Sequence, residues 1–446
     1  MKNQIDMTEG AIFSKLVAFS VPLILSSILQ LLFNAADIVV VGRYAGDNSL
    51  AAVGSTSSMV NLMVNFFIGL GVGCNVVAAN FLGAGKKEEL NRTVHTTMVL
   101  SLIGGIILTV VGVSFSRQIL ILMASPEDVL PLSTLYLKVY FGGITATIIY
   151  NFGAALLRAK GDTKRPLYIL LVAGVINVIL NLIFVIPLRM NVAGVAFATV
   201  LSQVFAAFCV VWILLHEEEE FRLYFKKLSL DMPILKRIIK IGVPAGFQSM
   251  LFSFSNMLIQ SAVNSFGAVM VAGNSAAQSI EGFVYISMNS FAQATLTFAG
   301  QNMGAHKINR IKKLVVISEA SVVIVGLVLG LGVLFFGRSV LGIYSENPDV
   351  IEAGMLRLTV ILATYFTCGM MDSMAGAIRG VGHSVLPMVI TMVGACGLRI
   401  VYLATFFQMP RFHTFQSIFY SYPLSWTVTF LFLTASFIWI MRRLDC

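Results

Sequence analysis

Long apolar stretches separated by short polar segments dominate the sequence, and they constrain the fold more than any other feature. About 20 apolar residues in a helix are enough to cross the hydrocarbon core of a membrane, where the backbone satisfies its hydrogen bonds in helices or closed barrels. Only 11% of the residues are charged, against about 25% in a typical soluble domain. The sequence therefore predicts an all-α polytopic membrane protein.

Twelve apolar stretches follow one another, and a charged segment divides them into two sets of six. The predicted helices lie at 13–41, 50–81, 95–116, 130–157, 167–187, 192–215, 242–265, 270–302, 314–336, 350–377, 386–408 and 414–441. The predicted organisation is an N-terminal six-helix lobe at 1–215, a cytoplasmic linker at 216–240 and a C-terminal six-helix lobe at 241–446. We expect the acidic run Glu217–Glu220 in the linker to be a solvated surface.

The distribution of basic residues predicts the orientation in the membrane. Most of the 30 Lys and Arg residues fall in segments that share one side with both termini, and few fall in the loops of the other side. By the positive-inside rule, both termini are predicted to be cytoplasmic in a multi-pass protein of the inner (cytoplasmic) cell membrane. Because the residues behind the net charge of +9 do not cluster on a soluble face, no nucleic-acid partner is predicted.

The two halves of the chain repeat each other. Arg158 in GAALLRAKGDTKRPL matches Arg379 in GAIRGVGHSVLPM, and Pro22 matches Pro244. Since six crossings return the chain to the side where it started, we predict parallel repeats related by a pseudo-two-fold axis along the membrane normal. Transporters built in this way bind substrate near the midplane between the halves and rock them to alternate access.

The first predicted helix carries a proline, Pro22, and a single carboxylate, Asp37. A rise of about 1.5 Å per residue puts Asp37 roughly 22 Å beyond Pro22, in the outer half of the span. A carboxylate at a helix centre costs about 3 kcal/mol, so Asp37 is predicted to be a functional site. Pro22 removes one hydrogen bond of the helix and is predicted to be a hinge. The alternative is an acid that is merely satisfied by a neighbouring Asn or Thr.

These features resemble the MATE (multidrug and toxic compound extrusion) family, and in particular its prokaryotic branch with an acidic first helix. The resemblance rests on that helix, on VGxxxGxxxLAAVG at Val41–Gly54, on GLGVG and LGAG within Gly69–Gly85, and on the doubled arginine motif. It covers essentially the whole chain. The resemblance implies a secondary antiporter in which H⁺ or Na⁺ enters while cationic or amphipathic compounds leave, by rocker-type alternating access between two six-helix lobes.

The resemblance also implies a coupling-ion site made of Asp37, Asn177, Asn181 and Thr199. Asn177 and Asn181 are four residues apart and so share one face of a helix. Carboxylate, amide and hydroxyl oxygens suit Na⁺ by analogy with other hard cations, and they could equally hold a protonated Asp37. Asn181 stands where many relatives carry a second acid, which slightly favours H⁺ over Na⁺. The alternative is polar contact between helices, worth roughly 0.6 kcal/mol for each bond.

Several charged residues also fall within spans of the second half, among them Glu281, Asp372 and Arg399. One hypothesis is an intramembrane ion pair of Arg399 with Asp372 or Glu281. The other is that one acid is left to meet a cationic substrate or to carry a second proton. The candidate residues of the substrate cleft are Gln30, Asn34, Gln248, Asn256, Gln278, Glu281 and Asp372.

Several other classes of protein are disfavoured. The segment Gly83–Lys87 lacks the upstream Gly and the Ser or Thr of a phosphate-binding loop, and the histidines fall at or near loops and span ends rather than in a catalytic cluster. The five cysteines are scattered, so a structural metal site is not expected. The sequence therefore predicts no enzyme and no cofactor apart from the coupling H⁺ or Na⁺.

The remaining alternative is a flippase for a lipid-linked or oligosaccharide substrate on a related fold. Such a protein would favour a basic cleft, whereas Asp37, Glu281 and Asp372 make this one acidic on balance. The expected partners are the lipid bilayer and small cationic or amphipathic substrates, and the expected state is a monomer.

Overall fold

The computed structural model describes residues 5–123 and 127–445, and nearly all of them are helical, with no β-strand. The helices of the first half are α1 (Ile12–Tyr44), α2 (Asp47–Gly83), α3 (Lys87–Leu122), α4 (Leu130–Gly142), α5 (Ile144–Ala159), α6 (Lys164–Val185) and α7 (Asn191–Leu215). Those of the second half are α8 (Met232–Asn264), α9 (Ala268–Gly304), α10 (Ile308–Phe335), α11 (Gly337–Gly342), α12 (Pro348–Thr364), α13 (Phe366–Gly380), α14 (Val385–Thr391), α15 (Leu398–Ala404) and α16 (Phe415–Asp445).

Most of these helices are long and apolar enough to cross a membrane. Eight segments within the described residues pass that test alone, and α14 and α15 form one of them because a π-helical stretch joins the two. The pairs α4–α5 and α12–α13 are each bent by 47° and add two more spans. Helices α8 and α9 have 33 and 37 residues but are more polar, with Gln248 on α8 and Asn274 on α9. With these two helices, the described residues contain a helical segment at each of the twelve predicted positions.

The described chain forms two compact units. Unit 1 contains Leu25–Val243, and unit 2 contains Asp6–Ile24 and the chain from Pro244 onward. Helix α1 continues through Pro22 without a break, and its two parts belong to different units. Helix α8 is divided in the same way at Pro244. Each dividing point therefore lies beside a proline, whose missing N–H weakens the helix locally.

Within unit 1, small residues let the helices approach closely. A methyl group added to Gly153 on α5 would lie 2.8 Å from the side chain of Val210 on α7. One added to Gly105 on α3 would lie 2.8 Å from the backbone of Thr145 on α5. Lipid supplies no hydrophobic force between helices, so close packing at such positions is a main source of their association.

The segment that links the two halves is attached to unit 1. Asn91 on α3 donates to the backbone oxygens of Glu219 and Arg222, both at 2.9 Å. The His95 ring nitrogen Nε2 accepts from the backbone N–H of Tyr224 at 3.0 Å. The segment is thus held by α3 rather than loose.

The expectation of a wholly solvated acidic run is wrong for Glu217. Its carboxylate pairs with Lys160 at 2.5 Å and with Arg165, and the side chains of Glu217 and Lys160 are only 5% and 3% exposed. Acid runs are usually solvated because isolated charges avoid burial, but two cations near the end of α5 and the start of α6 compensate this one.

Helix α8 begins at Met232, well before the predicted start at 242. The Asp231 side chain accepts from the backbone N–H of Ile234 and so caps the helix. Ile234 and Ile238 are buried between exposed basic residues, so the first turns are amphipathic. A search for continuous apolar sequence misses such turns.

Candidate functional site

The described cavity of unit 1 has a volume of about 560 Å³, within the range that holds drug-sized molecules. Helices α1, α2, α4, α5, α6 and α7 all contribute to its wall. Its polar lining residues are Gln30, Asn34, Asp37, Asn61, Asn65, Tyr136, Tyr140, Thr147, Tyr150, Asn151, Asn177, Thr199, Ser202 and Gln203. Asp37 is the one carboxylate among the lining residues, and none of them is basic.

The four residues implied as a coupling site lie together: Asp37, Asn177 and Thr199 line this cavity, and Asn181 is buried behind them. Asn181 Nδ2 on α6 donates to Asp37 Oδ1 on α1 and also lies 3.3 Å from Asn177 Oδ1. Asn177 Nδ2 in turn lies 3.4 Å from Thr199 Oγ1 on α7. The two asparagines are one helical turn apart, so a single face of α6 connects α1 with α7.

The site offers oxygen atoms without supplying a cation of its own. Asn181 is fully buried, and its Oδ1 has no hydrogen-bond partner among the described residues. Asp37 is half-buried and receives its hydrogen bond from a neutral amide. Buried polar atoms normally find partners, so an unpartnered oxygen beside a carboxylate is what a small cation or a proton-bearing group can use.

In unit 2, Glu281 has a basic partner that the sequence reasoning did not choose. Arg357 on α12 donates to both carboxylate oxygens of Glu281, at 2.9 and 2.7 Å, and to Asn274 Oδ1 at 2.8 Å. Both charged side chains are 5% exposed. The predicted pairing of Arg399 with Glu281 is therefore wrong, because the packing of α12 against α9 brings Arg357 to the acid.

Arg399 is stabilised in another way. Its Nε donates to Ser425 Oγ at 3.1 Å, its Nη1 lies 3.4 Å from Asn256 Oδ1, and its guanidinium stands over the rings of Tyr422 and Trp426. An arginine over aromatic faces gains cation–π energy.

The other predicted partner of Arg399 was Asp372, which instead accepts from the Tyr285 hydroxyl at 3.1 Å. No ion pair joins Arg399 to Asp372 in residues 5–123 and 127–445, so that alternative is not present either.

The other cleft candidates divide between the two units. Gln30 and Asn34 line the unit 1 cavity. In unit 2, Gln248 accepts from Arg379 at 2.5 Å, and Gln278 is exposed on α9. Sequence reasoning did not single out several lining residues of the cavity, among them Asn61, Tyr136, Tyr140, Asn151 and Gln203. The amide residues could have been noticed as polar residues within apolar spans. A sequence does not show, however, which helix faces meet at a cavity.

Comparison with known proteins identifies the family. The MatE family model matches residues 22–183 and again 244–405. The chain belongs to the MatE family. The two matched ranges start at Pro22 and Pro244, so the internal repeat predicted from the sequence is also the repeat of the family model. This MatE protein is an integral, multi-pass transporter and not an enzyme, and its family requires no cofactor.

Individual relatives agree with this assignment. The chain is similar to the probable multidrug resistance protein YoeA of Bacillus subtilis, with 28% identity over 88% of this chain and 86% of the relative. Its fold is similar to the crystal structure of a mutant of the Vibrio cholerae MATE transporter VcmN, with a TM-score of 0.90, 20% identity and 97% of each chain covered. It is also similar to a MOP superfamily transporter from Pyrococcus furiosus, with a TM-score of 0.89, 22% identity and 99% and 98% covered. The predicted all-α fold with twelve transmembrane helices in two lobes is confirmed.

Proposed function

We propose that this MatE transporter is a cation-coupled antiporter that exports cationic or amphipathic compounds, with Asp37 as the coupling site. The observation that carries the proposal is a carboxylate at a cavity of about 560 Å³ whose lining includes no basic residue. The name of the Bacillus subtilis relative supports a multidrug substrate range.

Coupling follows from the single charge of the site. When H⁺ or Na⁺ is bound, the carboxylate of Asp37 is neutralised and attracts a cationic substrate weakly. When that cation leaves, the ionised carboxylate stands in a low-dielectric wall and attracts a positive substrate strongly. One carboxylate thus favours one cation at a time, which is the requirement for exchange. Because Asn181 supplies no second negative charge, H⁺ is slightly preferred over Na⁺ as the coupling ion.

The cavity lining suits aromatic or apolar cations. Tyr136, Tyr140 and Tyr150 place aromatic rings in the wall, and amide groups fill most of the remaining polar positions. Aromatic faces attract cations without demanding one exact geometry, so substrates of varied shape can bind. A flippase of lipid-linked or oligosaccharide substrates would call for basic residues, which this lining lacks.

We propose alternating access by rocking of two six-helix lobes, 1–215 and 241–446, joined by the linker 216–240. Pro22 is the proposed hinge, since it lies beside the point where α1 passes from one compact unit to the other. The change of charge at Asp37 would alter how the following part of α1 packs against α6. We further propose a monomer in the inner cell membrane, with both termini cytoplasmic and no nucleic-acid partner.

The test is transport by purified protein in proteoliposomes, with a pH gradient and a Na⁺ gradient imposed separately. We expect tetraphenylphosphonium export to follow the pH gradient and to be lost in Asp37→Asn. Asp349→Asn, which removes an exposed acid in the first turn of α12, is the control and should transport normally. Unchanged transport in well-folded Asp37→Asn would reject the coupling role. Movement of a lipid-linked oligosaccharide instead of tetraphenylphosphonium would favour the flippase.

A further inference from the structure

The apolar helix α10 of unit 2 carries a further carboxylate, Glu319, which takes part in none of the interactions described above. Both oxygens of Glu319 are buried, and neither has a hydrogen-bond partner in the described part of the chain. At about 1.5 Å per residue, Glu319 lies roughly 8 Å along the helix from Leu314, where the predicted apolar span begins, and so inside that span. A buried ionised group without a partner is costly, so this position calls for an explanation.

Hydroxyl groups from three helices surround this position. Ser318 Oγ on α10 lies 3.0 Å from Ser373 Oγ on α13 and is also hydrogen-bonded to Thr295 Oγ1 on α9. Thr295 Oγ1 donates in turn to the backbone oxygen of Phe291 at 2.8 Å. The Ser373 hydroxyl also lies near enough to influence the Glu319 carboxyl, although it makes no hydrogen bond of normal geometry to it. The carboxyl therefore stands at the end of a short chain of hydroxyls.

The neighbouring charges are occupied elsewhere. On the helices packed against α10, Glu281 pairs with Arg357, and Asp372 accepts from Tyr285. Arg379 donates to Gln248. No basic side chain forms an ion pair or a hydrogen bond with Glu319 in residues 5–123 and 127–445. An ionised Glu319 would therefore have no paired counter-charge in the described part of unit 2.

The internal repeat shows that the packing here does not need a carboxyl. With Arg158 matched to Arg379, Glu319 corresponds to Met98 on α3, and Ser373 corresponds to Phe152 on α5. Met98 and Phe152 are 7% and 0% exposed, so unit 1 builds the same helix junction from apolar side chains.

Another pair supports this register. Thr97 on α3 and Cys74 on α2, which correspond to Ser318 and Thr295, also lie close to each other across their two helices. The acid and its hydroxyl neighbour are therefore an addition to unit 2 and not a requirement of the shared fold.

We propose that Glu319 is a second proton-binding carboxyl of this transporter, located in unit 2 and separate from Asp37. The proton binds a carboxylate oxygen, which removes the buried charge and lets the carboxyl donate to a neighbouring hydroxyl oxygen. Loss of the proton returns the group to the costly ionised form until it is protonated again. The hydroxyls are bonded to one another and do not form the cage of oxygens that a metal cation requires, so the ligand is a proton. The inference goes beyond the coupling role proposed for Asp37 and rests on the transport function alone.

Infrared difference spectroscopy of the purified full-length protein during a pH titration tests the inference directly. We expect two protonated-carboxyl bands that change with pH, one of them lost in Glu319→Gln and the other in Asp37→Asn. Glu319→Met, which introduces the residue of the matching place in the first repeat, should lose the same band as Glu319→Gln and keep the fold. Glu346→Gln, which removes an exposed loop acid, should lose neither band.

A second measurement is the number of protons exchanged for each tetraphenylphosphonium ion in proteoliposomes. We expect the ratio to fall from two to one in Glu319→Gln. A Glu319 band that is absent, or that does not change with pH, overturns the inference, as does an unchanged ratio. These failures are distinct from failure of the Asp37 proposal, which would leave the band and transport of the Asp37→Asn protein intact.

Discussion

Asp37 in unit 1 and Glu281 in unit 2 are both acids within membrane-spanning helices, yet the protein neutralises them differently. Arg357 contacts both oxygens of Glu281, and the pair is almost fully buried. Asp37 receives a hydrogen bond from the neutral Asn181 and borders a cavity. An intramembrane acid is therefore not functional by its position alone. An acid with its own buried counter-charge stabilises the fold, whereas one without such a partner leaves room for a cation from outside.

The largest expected effect comes from breaking the pair in unit 2. Glu281→Gln leaves Arg357 buried without a counter-charge, and we expect a loss of stability of about 3–5 kcal/mol. The yield of monodisperse protein in detergent and its thermal unfolding measure this loss. The double variant Glu281→Gln, Arg357→Met should recover much of it, because no buried charge then remains. If Glu281→Gln alone unfolds like the wild type, the structural role of the pair is wrong.

The same kind of substitution in unit 1 should have the opposite result, with stability kept and transport lost. Asp37→Asn removes a charge that has no basic partner, so we expect a stability change below about 1 kcal/mol, in the range of one interhelical hydrogen bond. Transport should nevertheless fall by more than tenfold, or about 1.4 kcal/mol in rate. Thermal unfolding and tetraphenylphosphonium transport, measured on the same preparation, test the small change in stability and the large loss of transport. A large loss of stability would place Asp37 in the same class as Glu281.

The linker offers a third acid, outside the membrane, whose titration can be followed. Burial raises the pKa of Glu217, but the hydrogen bond from Lys160 and the charges of Arg165 and Lys160 outweigh it and hold the pKa below its ordinary value of 4.5. A lowered pKa means that the stabilisation is complete above about pH 4.5 and is lost as the pH falls through the folded-state pKa.

Glu217→Gln should therefore lower stability at neutral pH by about 1–2 kcal/mol and reduce the loss seen below pH 4.5. Thermal unfolding between pH 3 and pH 7 checks this expectation. Glu219→Gln, at an exposed position of the same run, is the matched control and should behave like the wild type. An equal acid sensitivity in the wild type and Glu217→Gln would contradict the assignment.

The smallest expected effect concerns Asn177, a residue of the coupling site that does not contact Asp37 directly. Asn177→Ala removes a 3.4 Å contact with Thr199 and one carbonyl oxygen, a change of about 0.6 kcal/mol. We expect roughly a threefold shift in the concentration of coupling ion that gives half-maximal transport. Asn151→Ala, which removes a cavity amide outside the four-residue site, is the control and should leave that concentration unchanged. Equal shifts in both variants would indicate a general effect of cavity polarity.

The positions of the helices and their repetition could be predicted from the amino-acid sequence. Hydropathy is averaged along the chain, so it located the apolar helices. It missed the first turns of α8 because those turns are amphipathic. The grouping of Asp37 with Asn177, Asn181 and Thr199 was also accessible, because the family resemblance implied these four residues and the helical spacing puts the two asparagines on one face.

Which charged side chains contact each other became known from the packing of the helices and not from the sequence. Arg357 and Arg399 are both arginines within apolar helices, and no local property of the sequence shows which of them Glu281 contacts. The burial of Glu217 and the unpartnered oxygens of Glu319 were equally hidden. The physical reason is that a charge in a membrane protein is stabilised by groups on other helices, and the rotation and packing of those helices are set by the whole fold.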